Sequence, residues 1–186
     1  LVQTAEAWQH CLADLRQQPQ LAVDTESNSL YAYREQVCLI QISIPGRDYL
    51  LDPLSVPHLD GLGELMADTT IEKVFHAAEY DLLVMKQDFG YTFRNLFDTM
   101  IAARILGLKQ LGLASMLKQE FNVDVDKRFQ RANWGKRPIP PEQIAYARLD
   151  THYLPELRQR LSGRLEEAGC WVESQTTFDR ISQSTP

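Results

Sequence analysis

Apolar positions recur along this chain with two periods, near 3.6 and near 2, and the change from one to the other outlines its elements. Ala5, Trp8, Leu12 and Leu15 lie near helical spacing behind Thr4, a side chain suited to an N-cap, which predicts a helix over Thr4 to Gln17 ended by Pro19. Leu21 to Thr25 reads as a strand, followed by a loop, 26–35, that holds Leu30, Tyr31 and Tyr33. Gln36 to Ser43 is apolar and β-branched, Pro45-Gly46 marks a turn, and Asp48 to Leu51 continues as a strand. The three strands are expected to form an antiparallel meander that Asp52-Pro53 closes.

Helical spacing returns over Leu59 to Met66, interrupted by Gly61 and Gly63. Glu72 to Phe75 reads as a short buried strand, and a helix is expected from Ala77 to Asp88, stopped by Gly90. Leu96 to Leu106 and Leu111 to Glu120 are expected as two further apolar helices. From Phe121 to Pro141 the pattern fades into a basic loop; Pro140-Pro141 then introduces a long helix to about Leu165, kinked at Pro155. The polar tail from Ser174 to Pro186 is expected to be loosely held. Strands first and helices afterwards, with one later strand between helices, indicate an α/β layered domain around a mixed sheet. No boundary or repeat divides residues 1–186, which are expected to form a single domain.

Composition narrows the picture. No apolar run approaches the roughly 20 residues that span a bilayer, and the first residues, with Glu6, Trp8 and His10, lack a signal pattern, so a cytoplasmic protein without a membrane partner is expected. The start at Leu1 rather than Met leaves open an excised or processed segment. Cys11, Cys38 and Cys170 are odd in number and set among apolar neighbours, and read as reduced packing residues. A net charge of −6 argues against coating duplex nucleic acid through a broad basic face. It leaves room for a nucleic-acid enzyme whose acids gather in a metal-filled pocket.

Candidate chemistry begins where the first strand ends in Asp24-Thr25-Glu26. Alternation along a strand puts Asp24 and Glu26 on one side and Thr25 on the other, and crowded carboxylates favour Mg²⁺ or Mn²⁺. A solvated strand end is the plain alternative. Asp81 falls in the first turns of the helix after Glu72 to Phe75, where an acid is often only a dipole partner. Tyr146 and Asp150 are four residues apart and share one helical face. Each feature is common alone; their joint occurrence is not. The stretch from Lys127 to Arg137 interleaves Lys127, Arg128, Arg131, Lys136 and Arg137 with Phe129 and Trp134, which suits a phosphate track with stacking surfaces. Leu30 and Tyr31 are further candidates to stack on a base.

The stretches V-D-T-E, K-V-F-H-A-A-E-Y-D, L-F-D-T-M-I-A-A-R-I-L, R-F-Q-R-A-N-W-G-K-R-P-I-P and Y-A-R-L-D-T-H-Y-L run in this order from about Leu21 to Leu161. In them the sequence resembles the DEDD superfamily of 3′–5′ exonucleases, in its tyrosine-containing branch, and is similar to ribonuclease D. The resemblance implies a ribonuclease-H-like fold, a mixed five-stranded sheet flanked by helices. It assigns Asp24, Glu26, Asp81 and Asp150 to a site for two divalent ions, Mg²⁺ or Mn²⁺, with Asp24 bridging both. Glu26 and Asp150 would hold the ion that bears the attacking water, Asp81 would act nearby through water, and Tyr146 would orient that water. The position of the histidine in the superfamily's other branch is Ala145, and His152, about 200° round the helix from Asp150, should face away. His76 and Asp98 are expected to be supporting residues, and Ser27 stands where many ribonuclease D sequences have Phe.

The activity so implied is metal-dependent removal of nucleoside 5′-monophosphates from single-stranded RNA 3′ ends, tRNA-precursor-like ends among them. A 3′–5′ exonuclease acting on single-stranded DNA, or a catalytically silent nucleic-acid-binding module, are the alternatives.

Overall fold

A computed structural model describes residues 1–28 and 33–184. Its centre is a five-stranded mixed sheet built from β1 (Gln20–Ser27), β2 (Val37–Ile44), β3 (Arg47–Leu51), β4 (Glu72–Phe75) and β5 (Leu96–Asp98), in the order β3-β2-β1-β4-β5. β1, β2 and β3 form the expected antiparallel meander, while β4 and β5 join parallel to β1. Gly46, with φ 78°, makes the β2–β3 turn in a left-handed conformation that a Cβ would disfavour.

The flanking helices are α1 (Ala5–Arg16), α2 (Leu62–Ala67), α3 (Ala78–Phe89), α4 (Thr99–Ile105), α5 (Leu113–Phe121), α6 (Pro141–His152), α7 (Leu154–Glu167) and α8 (Trp171–Ser182). Thr4 caps α1 as its sequence suggests, accepting a hydrogen bond from the Ala7 amide at 3.1 Å. Every residue of β2 is buried, which is what a strand covered on both faces requires. Ile40, Ile42 and Ile44 enter the main core with Leu21, Val23, Phe75 and Phe97. Leu39 packs instead into a smaller cluster with Trp134, Tyr146 and Ala147 beneath α6. Cys11 and Cys38 are buried free thiols pushed up by burial, to about 12 and about 11, as packing residues would be. Among the described residues no helix is long and apolar enough to cross a membrane.

Three expectations are corrected. Leu96 to Leu106 is not one helix: Leu96–Asp98 pairs with β4 as β5, and the helix begins only at Thr99 because the Asp98 side chain caps it. Three residues are too short to show a strand period, and their apolar character merges with that of α4. The expected long helix is two, broken at Tyr153, because Pro155 lacks an amide hydrogen and sits in the first turn of α7. The tail is not loose up to residue 182. It forms α8, whose Phe178 and Ile181 are buried and whose Phe178 ring centroid lies 4.7 Å from that of Phe97. Trp171, Ser174, Phe178 and Ile181 make a stripe narrow enough for the segment to read as polar.

An ion pair between the partly exposed Arg137 and the buried Asp52 pins the stretch after residue 126 to the sheet. The Arg137 guanidinium donates to both Asp52 oxygens, at 3.0 and 2.9 Å, and to the carbonyls of Cys38 and Trp134 at 2.7 and 2.5 Å. Burial would raise the Asp52 carboxyl, but hydrogen bonds from Arg137, Gln3 and Ser55, with the Arg137 charge, outweigh it and hold the group at about 2.

The folded value lies below the ordinary 3.8, so the stabilisation is present above pH about 4 and is lost as pH falls toward 2. The contribution is about 2 kcal/mol at neutral pH. Urea unfolding of the wild type and Asp52→Asn should differ most at pH 7, with the gap narrowing by about 2 kcal/mol on acidification through this range. A gap independent of pH would refute this origin for the pair's contribution.

Candidate active site

β1 and α6 bring the acids together. Asp24 and Glu26 are two residues apart on one face of β1, and Asp150 reaches them from α6. One oxygen from each lies within 4.8 Å of the others, the spacing at which a cation can be shared. Asp81, in the first turn of α3, approaches along the edge of β1 beyond the last β4 pairing at Ala22. There its Oδ1 accepts from the Thr25 amide at 3.1 Å and from the Thr25 hydroxyl at 2.5 Å, so the carboxylate takes over as acceptor where β4 has left.

The four acids and Tyr146 line one cleft of about 380 Å³. Ser27, Ala77 and Tyr80 form one side of it, and Leu113, Gln130, Ala132 and Trp134 also line it. Burial, then the charges of Asp81, Asp150 and Glu26, push the Asp24 carboxyl well above the usual carboxylate range. Glu26 is raised likewise by burial and by Asp150. Asp150 is raised to about 6 by burial. Asp81 is raised to about 7 by burial, against the lowering effect of hydrogen bonds with Thr25 and Asp24. Among the described residues no cationic side chain lines this cleft, and an all-oxygen donor set fits a hard divalent cation.

Tyr146 is 7% exposed, its ring stacked on Trp134 at 6.1 Å and tilted against Phe129 at 5.7 Å. Burial, then the charges of Asp150, Glu26 and Asp24, raise its hydroxyl strongly, so it remains protonated at neutral pH and acts as a neutral hydrogen-bonding group.

The basic stretch separates into an inner and an outer set. Arg137 faces inward onto Asp52 and Trp134 is 1% exposed, so neither presents the free phosphate contact or stacking surface expected of it. Their side chains are used to hold the loop against the sheet and to support Tyr146. Lys127, Arg128, Arg131 and Lys136 remain exposed, around a short 3₁₀ turn at Lys127–Arg131. Arg128 is paired with Asp126 and lies 5.4 Å over the half-buried Phe129 ring. Leu30 and Tyr31 lie outside the described residues.

Both histidines lie as expected, and one residue beside the acids was missed. The His76 Nε2 donates to the Leu111 carbonyl at 2.8 Å, its Nδ1 meets the Thr99 hydroxyl at 2.7 Å, and burial lowers its pKa. His152 points away from the cleft, onto Asp48 at 2.9 Å. The missed residue is Gln41, opposite Asp24 in the β1–β2 register and wholly buried. Its amide nitrogen lies 3.3 Å from Glu26 Oε1 and 3.4 Å from Asp150 Oδ2. The available signal was a polar residue inside an otherwise apolar strand run.

Asp98 holds the corner from which α3 starts. Its carboxylate accepts from the amides of Met100 and Ile101 at 2.9 and 3.2 Å, and from those of Ala77 and Ala78 at 3.0 and 2.8 Å. Ala77 has φ 61°, a left-handed conformation costly for a residue with a Cβ. One anion thus caps α4 and fixes the approach of Asp81.

Residues 1–166 match a family described as 3′–5′ exonuclease. The chain is 36% identical over 184 residues to the exosome complex exonuclease RRP6 of Saccharomyces cerevisiae, covering 96% of this chain and 25% of that protein. Its fold is similar to the catalytic core of RRP6 from Trypanosoma brucei, with a TM-score of 0.94 and 32% identity over 99% of this chain and 51% of that one. It is also similar to Escherichia coli RNase D, an exoribonuclease involved in structured RNA processing, with a TM-score of 0.87 and 30% identity over 98% and 50%. The expected ribonuclease-H-like fold is borne out by these likenesses. The chain spans about a quarter of the yeast relative's length and about half of each solved chain.

Asp98→Ala should lower the unfolding free energy by about 3 kcal/mol, since it strips an N-cap and leaves further buried amides without an acceptor. Asp98→Asn, which keeps one carbonyl oxygen, should lose less. Urea denaturation measures both, and equal losses would show that the carboxylate's shared acceptance is not what matters.

Proposed function

The chain belongs to the 3′–5′ exonuclease family, and from that membership we propose that it is a metal-dependent 3′–5′ exoribonuclease releasing nucleoside 5′-monophosphates from single-stranded RNA ends. The main support is the meeting of Asp24, Glu26 and Asp150 within 4.8 Å in a cleft that also holds Asp81 and Tyr146. On this reading residues 1–186 act as one catalytic domain, its motifs between about 21 and 161, working in the cytoplasm.

Asp24, Glu26 and Asp150 would hold the cations, Mg²⁺ or Mn²⁺, with Asp81 close by. Divalent cations held by these acids would supply Lewis acidity toward a water and the phosphate oxygens and would offset phosphate charge. The chain's own groups do the rest. Tyr146, neutral and fixed by Trp134, orients the attacking water by hydrogen bonding; as a hydroxyl it lacks the basicity to take the proton. The Thr25 contacts keep Asp81 facing the site. On one side of the cleft the Ser27 hydroxyl donates to Glu35 at 3.0 Å, which leaves the Tyr80 hydroxyl to donate to Ser27 at 3.0 Å. The Tyr80 ring, 46% exposed and with its hydroxyl tethered, offers a stacking face for a base. Exposed Lys127, Arg128, Arg131 and Lys136 suit phosphates further along the strand.

With Mg²⁺ or Mn²⁺, 5′-labelled single-stranded RNA should shorten stepwise, and 3′-labelled RNA should release labelled mononucleotide at once. Internal fragments, or full activity in excess chelator, would refute the proposal; faster loss of a matched DNA would instead reassign the substrate.

Asp24→Asn should nearly abolish turnover. Tyr146→Phe should lower kcat by about 10²-fold with little change in KM, the size of a typical acid–base or orienting contribution. An unchanged kcat in Tyr146→Phe would remove its assigned role.

A further inference from the structure

Gln41 is buried in a way that packing does not explain. It lies at the middle of β2 with no exposed surface, where a leucine or methionine would fill a similar volume without desolvating an amide. Its single NH₂ group faces three acceptors: Glu26 Oε1 at 3.3 Å, Asp150 Oδ2 at 3.4 Å and the Ala147 carbonyl at 3.3 Å. Two hydrogens cannot serve three acceptors fully, so at least one hydrogen is shared. The other end of the amide, Oε1, is buried without a hydrogen-bond partner among the described residues. An amide placed only for stability would not be left half satisfied.

What the arrangement does accomplish is to tie two carboxylates from distant parts of the chain to one rigid point. Glu26 comes from β1 and Asp150 from α6, and β2 is the strand hydrogen-bonded between β1 and β3. One oxygen of each carboxylate is drawn toward the protein side by the same nitrogen. The Ala147 contact fixes the amide to α6 as well, so the helix that carries Asp150 is held at a set height over the strand that carries Glu26. A donor that restrains the separation of two ligands restrains the size of the cation they can share. Mg²⁺ and Mn²⁺ need short, regular oxygen coordination, whereas Ca²⁺ accepts longer and more variable distances.

We propose that Gln41 is a positioning residue that sets the spacing of Glu26 and Asp150 and thereby makes the site prefer a small divalent cation over Ca²⁺. This rests on the metal-dependent reading of the site given above, and it concerns ion binding rather than the cleavage step.

The test is calorimetric titration of the whole chain with MnCl₂ and, separately, CaCl₂, comparing the wild type with Gln41→Met, which keeps the length of the side chain and removes the donor. Affinity for Mn²⁺ should fall by about tenfold and affinity for Ca²⁺ by less than about threefold, while the thermal midpoint of the metal-free protein stays level or rises. In the RNA assay, Gln41→Met should need more Mn²⁺ for half-maximal rate, with kcat at saturating Mn²⁺ within about threefold of wild type and the KM for RNA unchanged. Gln41→Leu provides a second apolar variant if Gln41→Met does not fold. Unchanged Mn²⁺ affinity, or an equal loss for both ions accompanied by a lower metal-free midpoint, would overturn the proposal by making Gln41 a packing residue. If the wild type shows the predicted ion preference and Gln41→Met loses it, yet neither shortens RNA, the positioning role stands and the exoribonuclease reading fails.

Discussion

Mutual repulsion among Asp24, Glu26, Asp81 and Asp150 is the constraint to which the surrounding structure answers. Each is raised by burial, and Asp24 and Glu26 also by neighbouring acids, so the site is energetically costly without a cation. Among the described residues, the side chains of other types that donate to these acids, Thr25 and Gln41, are neutral. Thr25 donates twice to Asp81, and Gln41 reaches Glu26 and Asp150. Neutral donors can orient carboxylates without cancelling their charge, which keeps the cluster available for a divalent ion. A lysine or arginine in the same place would have stabilised the fold and filled the site with its own charge.

The stretch from residue 127 to 137 shows how one basic sequence can serve two physical purposes. Arg137 runs inward to the wholly buried Asp52 and to carbonyls on β2 and the loop itself, while Trp134 slides beneath Tyr146. These contacts make the loop a wall of the cleft. The cations left outside occupy its rim, where solvent and salt weaken each of them individually. Charge counting along the sequence could not separate the two sets, because Lys136 and Arg137 are adjacent and carry the same charge, and only the fold turns one outward and the other inward.

What could be read from the sequence follows from how local each determinant is. β1 and β2 were legible from apolar runs, and two pairs from spacing, Asp24 with Glu26 by alternation in a strand and Tyr146 with Asp150 by one helical turn, whereas only the family resemblance joined them and Asp81 into one site. β5 and α8 were not legible. β5 exists because Lys73, Val74 and Phe75 supply its pairing partners from some twenty residues earlier, and α8 because Phe97 offers Phe178 a ring to pack on. Gln41 shows the same limit at the site. Its residue type was visible, but its meaning depends on Asp150, which is 109 residues away.

The corner before α3 joins fold to chemistry. Ala77 adopts a left-handed conformation that its Cβ resists, and it does so with its amide and that of Ala78 bound by Asp98. The same carboxylate caps α4, and His76, one residue earlier, is tied to Thr99 and to the Leu111 carbonyl just before α5. Three helix starts are thereby referred to one point at the ends of β4 and β5. Asp81 lies one turn beyond this corner, so its distance from β1 is set by backbone that cannot relax without losing several buried hydrogen bonds at once. The strain at Ala77 is therefore best understood as a consequence of where Asp81 has to be: a corner of ordinary conformation would start α3 in another direction and withdraw the carboxylate from Thr25.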